Sequence, residues 1–347
     1  MLECTAQQAP PIAASERDFL IATAARAPSV HNTQPWRFRV TERSIDLYAD
    51  PSRKLHIDPI GREMLISCGA ALFGLRLAVR SLGYLPVVRL LPDPAQLRLL
   101  ASVTLGSPQP ATALERRLLE ALPHRHTHRG PFAPDAVPAG LIAALQHDAL
   151  AEGARLVPAD LVNDHRQLAD ILTALRRRQD RDPLAQADIR RWTRAPASGA
   201  RDGVPAAAFA ASASGHPDQL RQRDFDLGRG LGQLTAGETP PAAVMALLTL
   251  RDSRADWLRA GQALHRLLLR AATAWVFARI DTQPLEAAAV RVLVRERLAL
   301  PGAPQALLQF GAAHTAPATA RRPPAELIVP QDENVVSSGR HEPRPRA

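Results

Sequence analysis

Ile66, Ala70, Phe73 and Leu77 recur at four- and three-residue steps, so they share one face of a helix predicted over 61–82. Gly83 follows the last periodic residue, where a residue without Cβ caps a helix most readily. Ahead of it, Phe19, Leu20 and Ala24 mark a shorter helix ending near Arg26, with Ser15 as its expected N-cap and Asp18 three positions on. Alternation in Arg37-Phe38-Arg39-Val40 changes the period to two and predicts strands over 36–40 and 44–48, then over 86–91 and 97–105. Between the short helix and the first strand lies Ala27-Pro28-Ser29-Val30-His31-Asn32-Thr33-Gln34-Pro35-Trp36, a loop held by two prolines and rich in hydrogen-bonding groups. It reads as a helix-to-strand turn or as part of a site.

A Pro-rich break at 107–112 separates this stretch from a second one. There the pattern predicts helices over 114–121, 138–146, 161–178, 256–277 and 283–298, with Asp252 or Ser253 capping the fourth. Strands are predicted over 154–157, 244–250, 304–310 and 325–329. Residues 192–216 lack a period and are rich in Ala, Ser, Gly and Pro, as lids and disordered loops are. Residues 1–14 read as a flexible lead and the polar 331–347 as a disordered tail. The expected organisation is a first unit over 15–110 and a second over 111–330. Each offers helix, loop, strands, long helix and strand, although no repeat aligns on identity.

Composition narrows the picture. A hydrophobic content of 46% over 347 residues supports a full core. The net charge of +9 invites a polyanion partner, yet Lys54 is the only lysine and the arginines are spread along the chain, often near acids. With 4% aromatics there is little to stack on bases, so nucleic-acid binding is not expected. Cys4 and Cys68 form no metal spacing or disulfide framework, and no basic-then-apolar leader opens the chain. No uninterrupted apolar run reaches membrane-spanning length, so a cytoplasmic protein with no membrane partner is expected.

The chemistry-bearing candidates are few. His124, His126 and His128 alternate at strand spacing, but Arg125 and Arg129 between and beside them would repel a cation, so no metal is expected. Arg125, Thr127 and Arg129 project to one side of an extended segment: two planar cationic forks with a hydroxyl between them suit a phosphate, and a solvated arginine face is the other reading. Arg321 and Arg322, before two prolines, are either a second such pair or a charged edge. Trp257, at the start of a capped amphipathic helix, reads as core. There is no glycine-rich dinucleotide fingerprint, phosphate loop, nucleophile elbow or convincing carboxylate pair, so any chemistry belongs to a bound cofactor.

Together these pieces resemble the nitroreductase-like FMN flavoproteins, and in particular the Acg-like branch, in which two units are fused in one chain. Ala27-Pro28-Ser29-x-x-Asn32-x-Gln34-Pro35-Trp36 resembles the family's dimer-face FMN loop. Gly61-Arg62-Glu63-Met64 and the run from Ile66 to Leu72 resemble the helix after it. Arg125-x-Thr127-x-Arg129-x-Pro131-Phe132 is similar to the phosphate motif, the run from Trp257 to Leu264 to the second long helix, and Arg321-Arg322-Pro323 to the C-terminal phosphate contacts. The resemblance implies an α+β nitroreductase fold in which two tandem units, each a mostly antiparallel sheet flanked by helices, form an intramolecular pseudo-dimer. It implies one FMN per chain: Arg125, Thr127, Arg129 and Arg322 on the phosphate and ribityl chain, Arg321 beside them, and Pro28, Ser29 and Asn32 at the isoalloxazine ring. Asp281 and Thr282 fall in the loop where the family places backbone donors toward flavin N5. The implied activity is hydride transfer from NAD(P)H to FMN and on to a small electrophile such as a nitroaromatic or quinone. The branch's lid leaves a second possibility, a protein that sequesters FMN without turnover. Fusion makes an obligate dimer unnecessary, so a monomer or weak homodimer is expected.

Overall fold

The computed structural model describes residues 11–159, 173–175, 177–209, 223–231, 244–314 and 319–330. In its first half, α1 (Ala14–Ala25) leads through a loop to β1 (Trp36–Val40) and β2 (Ser44–Ala49). The long α2 (Arg62–Ser81) then runs to β3 (Tyr84–Leu90) and β4 (Leu99–Pro108). In the second half, α3 (Ala113–Ala121) and α4 (Leu141–Ala151) precede β5 (Ala154–Pro158). After α5 (Pro183–Trp192) come two short strands, β6 (Thr193–Arg194) and β7 (Val204–Pro205), which pair in parallel. The chain continues through β8 (Val244–Thr249), α6 (Arg254–Ala272), β9 (Val276–Asp281), α7 (Ala288–Arg297), β10 (Ala303–Ala312) and α8 (Pro324–Leu327).

The two four-stranded sheets have one wiring. The first is ordered β1-β2-β4-β3 and the second β5-β8-β10-β9, with antiparallel neighbours throughout. In each, a long helix follows the second strand and the last strand inserts between the second and third. These helices, α2 and α6, pack against one another at the centre of the core. Their approach is set by glycine: a Cβ on Gly69 would lie 2.2 Å from Leu258 O, and one on Gly261 would lie 1.9 Å from Ile66 O. Each glycine thus meets the residue three positions before its counterpart, as a two-fold relation between the helices requires. Among the described helices α2 alone is long and apolar enough to cross a membrane, and it is the buried core helix.

Several predicted elements shift. The first helix begins at Ala14, ahead of the expected Ser15 cap: Ala13 N–H donates to the Glu16 carboxylate at 2.9 Å, so the acid three residues on closes the helix start. The helix predicted over 256–277 stops at Ala272, and 276–281 is a strand at the edge of the second sheet. Trp275, at φ 53°, makes the reversal in a left-handed conformation without a glycine to announce it. The strand predicted over 325–329 is largely the short α8, and only Ile328 forms a bridge, to Phe38. Helix 283–298 is reduced to Ala288–Arg297 behind a 3-10 turn at Gln283–Leu285. Most of the helix predicted over 161–178, the lead up to residue 10, the tail and residues 210–216 of the expected lid lie outside the described residues.

Candidate functional site

The loop after α1 is held in a shape that its sequence alone resists. His31, Asn32 and Gln34 all have positive φ, at 47°, 53° and 50°, a conformation disfavoured for non-glycine residues and retained where surrounding contacts impose it. Those contacts come largely from α2 and from the loop itself. Val30 N–H donates to Ser67 Oγ at 3.2 Å, Gln34 N–H to Ser29 Oγ at 3.0 Å, and the Cys68 thiol to Pro35 O at 3.2 Å.

This loop walls a cavity of about 120 Å³, partly open to solvent. From the first half, Pro28, Ser29, Val30 and His31 face it, with Ile66 and Ala70 of α2. From the second half come Thr127 and Arg129, Leu264 of α6, and Asp281 and Thr282 at the end of β9. Phe225 closes one side, its ring edge-on to His31 at 5.2 Å. The His31 imidazole is buried and carries no hydrogen bond among the described residues, and its Nδ1 is unpartnered. Burial first, then the nearby Arg223 and Arg129 charges, hold its pKa well below the ordinary value.

A second, smaller cavity of about 20 Å³ adjoins the first along Pro28, Ser29, Thr127 and Arg129. Its walls are cationic. Residues 125–129 run beside β9, with His128 N–H donating to Ala278 O at 3.0 Å and Thr127 bridging Ala278, so the segment is extended as the alternation requires. Arg125, Thr127 and Arg129 accordingly line this space together, joined by Arg321 and Thr319. Arg125 is 6% exposed, and its Nε and Nη1 have no partner. Arg321 donates only to backbone carbonyls and the Thr319 hydroxyl, leaving Nε unpartnered. Among the described residues none of these three arginines has a carboxylate partner. Burial depresses Arg125 and Arg129 to about 10, with Arg129 and Arg26 repelling Arg125, and Arg321 is pushed down by burial and by Arg125. Buried cations without counter-ions are costly, and an anion between them removes the cost.

The predicted residues thus separate into three groups. Pro28, Ser29, Thr127, Arg129, Asp281 and Thr282 line the larger cavity, and Arg125, Asn32 and Arg321 line the smaller. Asn32 donates through its amide to Gly203 O at 3.0 Å and Ala320 O at 3.2 Å, and its Oδ1 is unpartnered. Arg322 lines neither cavity: its Nε lies 3.2 Å from the Glu326 carboxylate, one turn along α8. Sequence reasoning missed His31, which sat at an unspecified position of the loop motif, and Ile66, Ala70 and Leu264, quoted only as helix signatures. It also missed Arg279, which fell in the stretch between two predicted helices where β9 runs, and Arg223 and Phe225, for which no sequence signal exists. The three histidines pack against aromatic rings, His124 on Trp275 at 5.4 Å, His126 on Phe277 at 4.2 Å and His128 on Phe132 at 4.8 Å, with His126 edge-on to His128 at 5.9 Å.

The described part of the expected lid lies across the loop. Gly203 N–H donates to Asn32 O at 3.2 Å, and Gln34 donates to Arg201 O at 2.8 Å. Asp202 is gripped by Arg53 and, at 2.7 Å, by Arg194. Beyond it, Arg223 pairs with the buried Glu286 at the edge of the larger cavity.

Comparison with known proteins agrees with this geometry. The chain is 35% identical over 319 residues, 89% of its length and 90% of the relative's, to a Mycobacterium tuberculosis H37Rv protein provisionally named NAD(P)H nitroreductase Rv3131. It is 31% identical over 315 residues, 89% and 93% of the two chains, to the protein provisionally named NAD(P)H nitroreductase acg of the same organism. The chain therefore belongs to the nitroreductase-like family that includes Acg. No family profile matches it. The crystal structure of an FMN-bound nitroreductase from Desulfitobacterium hafniense aligns with 61% of this chain and 97% of its own, at 12% identity and a TM-score of 0.37, too slight a likeness to bear on the fold.

Proposed function

We propose that the chain is an FMN-dependent NAD(P)H oxidoreductase of the nitroreductase type, built as an internal pseudo-dimer with one flavin site. The carrying observation is an apolar slot shared by both halves that ends at the buried Arg125 and the half-buried Arg129 and Arg321, none with a carboxylate partner among the described residues. Those groups suit a flat heteroaromatic ring continued by a phosphate. Arg125, Thr127, Arg129 and Arg321 would hold the phosphate, Pro28, Ser29, Ile66 and Ala70 the ring, and Asp281 and Thr282 its edge. FMN, when bound, supplies acceptance of hydride from NAD(P)H and delivery of electrons to a small electrophile such as a nitroaromatic or quinone. The chain's own work is to orient the ring, exclude water through the residues over the slot, and present His31 as a neutral hydrogen-bonding group.

A single site is supported by what stands at the corresponding place in the other half. There the ten-residue loop is replaced by the turn Glu152–Gly153 between α4 and β5. Ala70, which follows Gly69, corresponds to Gln262 after Gly261, and Gln262 is tied to Arg76 at 2.8 Å. Glu152 pairs with both Arg76 and Arg266, so side chains fill the space a second ring would need.

A second reading, retention of FMN with little turnover, is favoured by the contacts of Asp202 and Gly203 over the loop. Anaerobic NADH or NADPH separates the two. Rapid bleaching of the yellow protein supports the reductase, and bleaching by dithionite alone supports retention.

A further inference from the structure

Beyond the small cavity lies a third space, small and partly open to solvent, lined by Arg26, Leu122, Pro123, Arg125, Thr319 and Arg321. It shares Arg125, Thr319 and Arg321 with the cavity assigned to the FMN phosphate. Arg26, at the end of α1, stands only on the far side. Four arginines, the exposed Arg26 among them, therefore line the two adjoining spaces, and among the described residues none has a carboxylate partner. Arg125 donates at 3.5 Å to Arg26 O, a long bond that leaves two of its buried nitrogens unpartnered. The cations also depress one another: Arg26 contributes to the lowered pKa of both Arg125 and Arg321.

A phosphomonoester brings about two negative charges near neutral pH. Placed among Arg125, Thr127, Arg129 and Arg321, it offsets two of the four guanidinium charges and leaves the equivalent of two over the adjoining spaces. We infer that this outer pocket of Arg26, Arg125, Thr319 and Arg321 binds a second phosphoryl group next to the cofactor's own. The inference rests on reading the adjoining cavity as the FMN phosphate seat. The second group is either free phosphate, seated beside FMN, or the adenylate-side phosphoryl of FAD, whose diphosphate would span both spaces. Charge balance favours the former, because a diphosphate diester carries no more charge than the monoester. Thr319 supplies a hydroxyl donor, and Leu122 and Pro123 wall off the side opposite the arginines.

Calorimetric titration of the full chain with inorganic phosphate in a low-salt, phosphate-free buffer tests this, with and without bound FMN. The flavin-free chain is expected to take two phosphates and the FMN-loaded chain one. Arg26→Ala should weaken the phosphate that remains in the loaded chain at least tenfold and change FMN affinity less than twofold, and Arg26→Lys should restore part of the loss. FAD binding as tightly as FMN, and weakened tenfold by Arg26→Ala, would assign the second phosphoryl to the dinucleotide. One phosphate on the flavin-free chain, none on the loaded chain and no effect of Arg26→Ala on FAD overturns the inference while leaving the FMN reading intact. Failure of FMN to bind at all, with two phosphates still taken up, would overturn that reading and keep the outer pocket.

Discussion

Arg321 and Arg322 are neighbours in sequence with different fates. Arg321 turns into the small cavity without a carboxylate partner among the described residues, whereas Arg322 pairs with Glu326 one helical turn away; each keeps one unpartnered nitrogen. Replacing Arg125 and Arg321 together by Ala removes charge-assisted contacts at the phosphate, so FMN affinity should fall roughly 100- to 1,000-fold with riboflavin affinity little changed. Arg322→Ala should alter FMN affinity less than about threefold, since an exposed-side ion pair contributes little. Fluorescence titrations of the variants check both expectations. Residue types and spacing made the arginine motif legible, because alternation in an extended segment fixes which side chains share a side. The role of Arg322 was not legible: adjacency to Arg321 says nothing of direction, and the α8 turn that supplies its partner is four residues long.

Two of the central elements make predictions of their own. On α6, His265 is buried, donates Nδ1–H to Ala70 O at 2.7 Å and lies edge-on to Phe73 at 5.7 Å. Burial, with repulsion from Arg125, lowers its pKa to about 3. The folded chain therefore resists a proton that the unfolded chain accepts near pH 6.5, so this contribution is complete above that pH and is lost as pH falls toward 3. At pH 5 the loss is about 2 kcal/mol. Urea midpoints measured between pH 7 and 5 should fall less steeply in His265→Gln, the remaining slope including His126, which burial lowers to about 4. At the helix crossing, Gly261→Ala puts a methyl group 1.9 Å from Ile66 O and 2.7 Å from Ala70 N, both backbone atoms. The helices must part, at a cost of about 3 kcal/mol or more. Because Ile66, Ala70 and Leu264 line the slot, thermal stability and FMN affinity should fall together in calorimetry and flavin titration. The period of α2 revealed that helix, but the crossing was not visible, since two glycines in separate motifs do not announce that they meet. Likewise the start of β9, Val276 and Phe277, falls within the helix predicted to 277 and the rest in the gap before the next predicted helix, because only Trp275 marks the reversal.

For the whole molecule, two sheets of one wiring joined through α2 and α6 give each half a different share of one site. The first half brings the strained loop, and the second brings the arginines and the end of β9. That division was legible because each motif occurs once and the two sets are complementary. Residues 201–203 lie against the loop through Gly203 N–H to Asn32 O and Gln34 to Arg201 O. Asp202→Asn weakens its contacts with Arg53 and Arg194 and should speed FMN release several-fold without changing secondary structure, as stopped-flow displacement and circular dichroism would show. The central claim is one composite site that selects FMN through its phosphate. Titration of the flavin-free chain, followed by flavin fluorescence, tests it most directly. The account predicts saturation at one FMN per chain, with riboflavin bound roughly 100-fold more weakly. Two flavins per chain, none, or equal affinity for riboflavin and FMN would contradict it.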